Sequence, residues 1–376
     1  MSISSSIGLY IHIPWCLKKC GYCDFNSHVS KNVIPEKKYI QHLLKDFQND
    51  LPLLNNRVIK TIFIGGGTPS LLKNIFIKKL IDQIKKNSIV CKFAEISIES
   101  NPKILEYQRF ADYKNSGINR FSLGVQTFNT DYLKKIERTY DTREAINAIV
   151  ELKKVSNNIN FDLMYGLPDQ SIEDALQDLQ YAIKYNPAHI SWYQLSIEPN
   201  TPFYAKKLIL PNQDIIFEMM IQGEKLLNQA GYKKYEISSY SKSNYQCQHN
   251  LNYWNFGDYI GIGCGAHGKI TQKNGKILRT VKNKNIQNFL DGKYLHSIRT
   301  VLEQDKPFEY FINKFRLYKP ISKRDFQKKT NININNIKKY IEKAKKSGFL
   351  IEDTHFWETT KKGKIFLNLL LSIFLK

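Results

Sequence analysis

Between Ile7 and Leu195 the chain alternates short apolar runs, rich in branched residues, with segments of helical spacing. No other feature limits the fold as strongly. The strand-like runs fall at residues 7–13, 58–64, 94–99, 120–125, 160–164 and 189–195. Helical spacing fills 35–48, 75–85, 104–116, 143–155 and 172–184, with Tyr39, Leu43, Leu44 and Phe47 on one side of the first. Strand–helix units in series build a parallel sheet covered by helices, because a parallel connection needs a crossover. A closed eight-unit barrel would need two more units, and after Asn200 the pattern changes. The expected fold is therefore α/β, a partial (β/α)6 TIM-like barrel over residues 1–200. In such folds ligands sit at the C-terminal ends of the strands, where this chain carries its cysteines, glycines and isolated polar residues.

Residues 201–300 are expected to complete the barrel. They hold a helix over Asp214–Ala230, an apolar–polar alternation over Tyr232–Tyr240, and a segment, Tyr245–Gly268, that reads as a functional loop dense in glycine, aromatics and histidine. Residues 301–376 change again. Short helices at Pro307–Tyr318 and Lys323–Lys329, a longer one at Asn336–Ser347, a hairpin of Phe349–Glu352 with His355–Thr359, and a last helix at Thr360–Phe374 follow the order of a winged helix.

Composition bounds the partners. With 376 residues a main domain and one or two small ones are affordable. No apolar run reaches the roughly 18 residues of a membrane span. Met1–Gly8 lacks a basic segment followed by a long apolar core, so the cytoplasm is the expected location. The net charge of +22 would suit nucleic acid or an anionic membrane surface, but lysine is spread through nearly every segment. That reads as compositional bias rather than a nucleic-acid-binding patch. Six cysteines in this length do not make a disulfide framework, and Cys91, Cys247 and Cys264 read as buried thiols.

Cys16, Cys20 and Cys23 follow the first strand within the loop 14–25. Closely spaced thiolates are soft ligands, suited to an iron–sulfur cluster or to zinc. Three is the informative number, because structural zinc and ordinary electron-transfer clusters take four protein ligands. Three sulfurs on a four-iron cluster leave one iron open.

The string Tyr10-Ile11-His12-Ile13-Pro14-Trp15-Cys16, with Cys20, Tyr22, Cys23 and then Asp24-Phe25-Asn26-Ser27, resembles the radical S-adenosylmethionine (SAM) enzymes, and within them the oxygen-independent coproporphyrinogen III oxidase group. The resemblance implies a [4Fe-4S] cluster on the three cysteines, with SAM chelated to the open iron and cleaved to a 5′-deoxyadenosyl radical. Four further strings agree with it in order along the barrel. Gly65-Gly66-Gly67-Thr68-Pro69 implies a loop at the methionyl end of SAM, through Gly66, Gly67 and Thr68. Ile98-Glu99-Ser100-Asn101-Pro102 implies a SAM contact by Glu99. Gly124-Val125-Gln126-Thr127-Phe128-Asn129 implies the same for Gln126, and Asp162 opens a string running through Pro168. Arg138 and Tyr10 match cofactor-site positions of the family.

Two features set the oxidase reading against a heme-chaperone reading within this group. The oxidases carry a fourth cysteine two positions after the third, where this chain has Phe25, and a longer segment before the first strand. His249-Asn250-Leu251-Asn252-Tyr253-Trp254 matches the HNxxYW motif of the heme-binding relatives, and Gly261–Gly268 resembles a glycine-rich string of the same branch. His249 is the expected heme contact, and His267, Cys247 and Cys264 stay open as iron ligands. The expected function is binding heme and passing it to an acceptor hemoprotein, one at the inner membrane included. The alternatives are SAM-dependent decarboxylation of coproporphyrinogen III and modification of a nucleic acid. No catalytic residue is assigned.

Overall fold

The computed structural model describes residues 6–30, 33–103, 106 and 108–375. Its centre is one sheet of 12 strands. The first six are β1 (Ser6–Ile13), β2 (Val58–Gly66), β3 (Val90–Ser100), β4 (Arg120–Gln126), β5 (Ile159–Tyr165) and β6 (His189–Gln194), side by side and parallel. Helices α1 (Glu36–Leu54), α2 (Asn74–Asn87), α3 (Phe110–Asn115), α4 (Thr142–Val155) and α5 (Ile172–Tyr185) connect them. The expected helix start at Ile104 lies outside the described residues. Helix starts are set locally: Asp141 with Glu144, and Ser171 with Asp174, form capping boxes that satisfy the first free N–H groups.

Alternation along each strand separates two faces. Ile7, Leu9, Ile11 and Ile13 of β1 and Ile62 and Ile64 of β2 are fully buried in one core with Tyr39, Leu43 and Phe47 of α1. The opposite face carries Gly8, Tyr10 and His12, then Thr61, Phe63 and Gly65, then Glu95, Ser97 and Glu99. This polar face is the inside of the partial barrel.

The rest of the sheet departs from expectation. After helix α6 (Gln213–Gln229), β7 (Lys233–Glu236) and β8 (Ser239–Ser241) form a hairpin that adds antiparallel to β6. Tyr245–Gly268 is not a loop. It holds helix α7 (Gln248–Trp254), strand β9 (Tyr259–Ile262) and the start of β10 (His267–Thr271). β9 joins the free edge of β1 in parallel, Gly8 opposite Tyr259, and β10, β11 (Ile277–Lys282) and β12 (Leu295–Thr300) continue antiparallel from it. The glycines obscured a strand here while making it possible: a Cβ at Gly261 would lie 2.0 Å from the His267 carbonyl oxygen. The sheet order runs β12-β11-β10-β9-β1-β2-β3-β4-β5-β6-β8-β7, an open sheet with antiparallel additions at both sides.

The C-terminal part has its own aromatic core, built from Tyr310, Phe311, Phe315, Phe326, Trp357 and Phe374. Helices α8 (Lys306–Lys314), α9 (Lys323–Thr330) and α10 (Lys338–Lys346) surround a small sheet. The hairpin of β14 (Leu350–Glu352) and β15 (Phe356–Thr359) gains a third strand, β13 (Ile321–Ser322). The expected last helix is two short ones, Lys361–Ile365 and Leu367–Ser372, broken at Phe366. Phe256 and Ile277 of the main sheet region enter the same core, so packing is continuous across residue 301.

Candidate functional site

The C-terminal ends of β2 to β6 and the cysteine loop enclose a cavity of about 330 Å³. Cys16, Cys20, Cys23, Gly66, Gly67, Thr68, Glu99, Gln126, Arg138 and Asp162 all line it, so ten of the residues singled out in sequence converge there. Three backbone relations set the loop. Gly67 N–H donates to the Ile13 carbonyl and Thr68 N–H to the Trp15 carbonyl, each at 2.7 Å, which straps the glycine loop of β2 under the cysteine loop. Gly66 has φ +113°, and a Cβ on Gly67 would stand 2.5 Å from the Trp15 oxygen. Glycine is required at both. The third is Phe203 N–H to the Gly21 carbonyl, where the Phe203 ring also leaves no room for a Cβ on Gly21.

A belt of hydrogen bonds joins two of the thiols across four strands. Thr68 Oγ1 donates to Cys16 Sγ (3.5 Å), Asn101 Nδ2 donates to Thr68 Oγ1 (3.0 Å), Arg138 Nη2 donates to Asn101 Oδ1, and Arg138 Nη1 donates to Cys20 Sγ (3.3 Å). Every donor in the chain of bonds points toward a sulfur. Burial pushes the Cys16 thiol up and the Thr68 hydrogen bond opposes this. Cys23 is half-buried at the mouth. Among the described residues no three His, Cys, Asp or Glu side chains converge closely enough to grip one metal ion. The three sulfurs line one cavity rim at separate points. Asn101 belongs to the Ile98–Pro102 string, where the sequence alone points to no role for it. Its linking position emerges only when β3 and the Arg138 segment come together.

The polar wall opposite the thiols is short of positive charge. Glu99 accepts from the Gly66 N–H at 3.1 Å, and burial with the nearby Asp162 carboxyl pushes it up to about 8. Asp162 accepts from Ser122 Oγ and Asn160 Nδ2, both at 2.8 Å, and burial raises it too. Gln126 holds φ +66°, uncommon for a residue with a side chain, and its Oε1 accepts from Tyr193 at 3.0 Å. Two raised carboxyls in one enclosed site await a cationic or hydroxyl-bearing ligand.

Two of the expected site residues stand apart from this cavity. Tyr10 does not line this cavity. Its hydroxyl bonds His12 Nδ1 at 2.9 Å and it borders a separate cavity beside it, also about 330 Å³. His249 is at neither mouth. It lies inside the barrel, 1% exposed, with Nδ1 on Thr61 Oγ1 and Nε2 on the Tyr253 hydroxyl, both at 2.8 Å, and its ring stacks on Phe63. Burial pushes it down to about 3. Both nitrogens are occupied, so it holds α7 against β2 and is not poised for iron. Cys247 beside it is buried against the Glu95 carboxylate, and Cys264 donates to the Lys284 carbonyl at 3.1 Å. Neither thiol faces a cavity.

The fold and the three-cysteine strand-end site define a radical SAM protein, and the Radical SAM superfamily model matches residues 10–182. The HemN C-terminal domain model matches residues 301–366. A heme chaperone HemW of Buchnera aphidicola from Acyrthosiphon pisum is 70% identical over 98% of both chains, and that of Escherichia coli K12 is 49% identical over 98% of both. The chain belongs to the HemW family of radical SAM proteins. The solved coproporphyrinogen III oxidase (HemN) of Escherichia coli shares the fold, with a TM-score of 0.83 at 21% identity over 98% of this chain and 90% of that one. Among the described residues no helix is long and apolar enough to cross a membrane.

Proposed function

We propose that this protein binds heme and passes it to an acceptor hemoprotein, with a [4Fe-4S] cluster on Cys16, Cys20 and Cys23 and SAM in the strand-end cavity. The observation that carries the reading is full-length likeness to heme chaperones, 70% and 49% identical over 98% of each chain. An acceptor in a membrane would be met at its surface.

The cluster would supply a soft iron corner open to SAM, and SAM a cleavable sulfonium. The chain's own residues do the rest. The belt of Thr68, Asn101 and Arg138 holds the Cys16 and Cys20 sulfurs in place. The bare backbone of Gly66 and Gly67 leaves room for the methionyl end. Glu99 would accept a hydrogen bond from the ligand's ammonium, which would favour its ionised form. Arg138, wedged among Cys20, Tyr22 and Gly124, is a fixed cation for a carboxylate. Gln126 and Asp162 present acceptors for ribose hydroxyls. Phe25, at the place of the oxidases' fourth cysteine, is 57% exposed and gives the site an apolar lip instead of a further thiol.

Titrating the full chain with hemin is expected to give a saturable Soret change at one heme per protein. Anaerobic incubation with reductant, SAM and coproporphyrinogen III is expected to leave that substrate intact. Formation of protoporphyrinogen would replace the chaperone reading with the enzymatic one.

A further inference from the structure

The second cavity, beside the cluster loop, is lined by Tyr10, Asp24, Phe25, Tyr253, Tyr259, His267 and Lys284 among others. We propose that His267 is the iron ligand of the cargo heme, seated in this cavity between Phe25 of the cluster loop and the start of β10. The assignment rests on the heme-binding reading above and adds where and through which residue.

Elimination among the eight histidines carries it first. His12, His189 and His249 each have both ring nitrogens hydrogen-bonded inside the protein. His28 and His42 each have one ring nitrogen bonded, to Asn26 Oδ1 and to the Tyr294 hydroxyl, and neither lines the cavities described here. His267 is exposed, and among the described residues no hydrogen bond is made by its ring. His296 and His355 line none of the cavities described here. Partial desolvation of the ring at the cavity rim, with the charges of Lys284 and Arg279, lowers the His267 pKa and favours the neutral imidazole, the form that binds iron.

The surroundings fit a flat, anionic macrocycle. Phe25, Tyr253 and Tyr259 supply aromatic walls. Lys284 is a cation for one propionate, and Asp24 is the one carboxylate on the rim. A cavity of about 330 Å³ is smaller than a whole heme, which leaves one edge outside for an acceptor to take. The glycine-rich string acquires a purpose here. Gly261 lets β10 close onto β9, and Gly265, at φ +82°, has no room for a Cβ because Asn26 Nδ2 would stand 2.4 Å from it. Together they fix the backbone on which His267 rides.

The larger cavity at the opposite end of the barrel, about 810 Å³, is the rival seat. Cys91 is the residue there able to bind heme iron, and Lys60, Lys328 and Lys329 are its cations.

The test is hemin titration of the full, cluster-reconstituted chain, read by difference absorbance and by electron paramagnetic resonance of the ferric iron. His267→Ala is expected to weaken hemin roughly tenfold or more and to shift the Soret band, with iron and sulfide content unchanged as the control for folding. In His267→Gly, added imidazole is expected to restore the wild-type spectrum. Wild-type affinity and spectrum in His267→Ala would overturn the assignment. Loss of the signal in Cys91→Ser with its retention in His267→Ala would move the seat to the other end. Absence of hemin binding by the wild-type chain would instead overturn the functional reading itself.

Discussion

The two ends of the barrel are built from the same kinds of residue and treat them in opposite ways. At the strand starts, Glu95 accepts the N–H groups of Gln248 and His249 and so caps α7, while Thr61 and Tyr253 occupy both nitrogens of His249. At the strand ends, Glu99 has one backbone N–H, Asp162 has neutral partners, and three thiols with at most one side-chain donor each line a cavity. Cavity size does not separate them, since the larger void is at the starts. What separates them is saturation: buried polar groups with complete protein partners hold structure, and those left short are available to a ligand.

The largest effect expected from this contrast is on the cluster. Cys16→Ala, Cys20→Ala or Cys23→Ala should each remove nearly all reconstituted iron and sulfide, while Cys247→Ala and Cys264→Ala keep it. Loss in the Cys247 variant would erase the distinction between the ends.

Glu99 sharpens it next. Glu99→Gln should weaken SAM by about 10- to 100-fold, the worth of a charge-assisted hydrogen bond. Because the empty site holds Glu99 protonated below about 8, binding a cation must release that proton. SAM affinity should therefore rise with pH up to about 8 and flatten in Glu99→Gln. The same raised pKa means that the unfolded chain sheds this proton first, so Glu99 lowers the stability of the empty protein as pH climbs from about 4.5 toward 8. Isothermal titration of SAM across pH 6–9 checks the first, and denaturant unfolding across the window from about pH 4.5 to about 8 checks the second.

The smallest effect on function should come from His249. His249→Ala leaves the Thr61 and Tyr253 hydroxyls unpaired beside a void and should cost about 2–4 kcal/mol in denaturant unfolding. Cluster content and the hemin spectrum should stay as in the wild type. A changed hemin spectrum in a stable variant would return His249 to the iron.

The parallel half of the sheet was legible because its signal is local. Branched apolar runs with helical segments between them admit few folds, and the cysteine loop, the glycine loop, Glu99 and Gln126 each sit at or just past a strand end, while Asp162 lies within β5 and Arg138 follows β4 after a short helix. The β9–β12 extension was hidden because a four-residue strand broken by glycines has too short a period to read, and it exists only by pairing with β1, some 250 residues away. The surroundings of His249 were hidden for a related reason. Its motif sits in a helix that turns the ring inward, and nothing nearby in sequence names Thr61 as its partner.

By itself the sequence determined that three thiolates would stand in one loop beyond a parallel strand, with a glycine loop and single carboxylates arrayed around it. Spacing and strand direction suffice for that, since both are properties of neighbouring residues. The tertiary structure decided which polar groups would be finished and which left open. The belt from Cys16 through Thr68, Asn101 and Arg138 to Cys20, the closed shell around His249 and the free ring of His267 each join residues far apart in the chain. Whether a side chain is saturated depends on every neighbour the fold brings to it, and that inventory does not exist until the chain is packed.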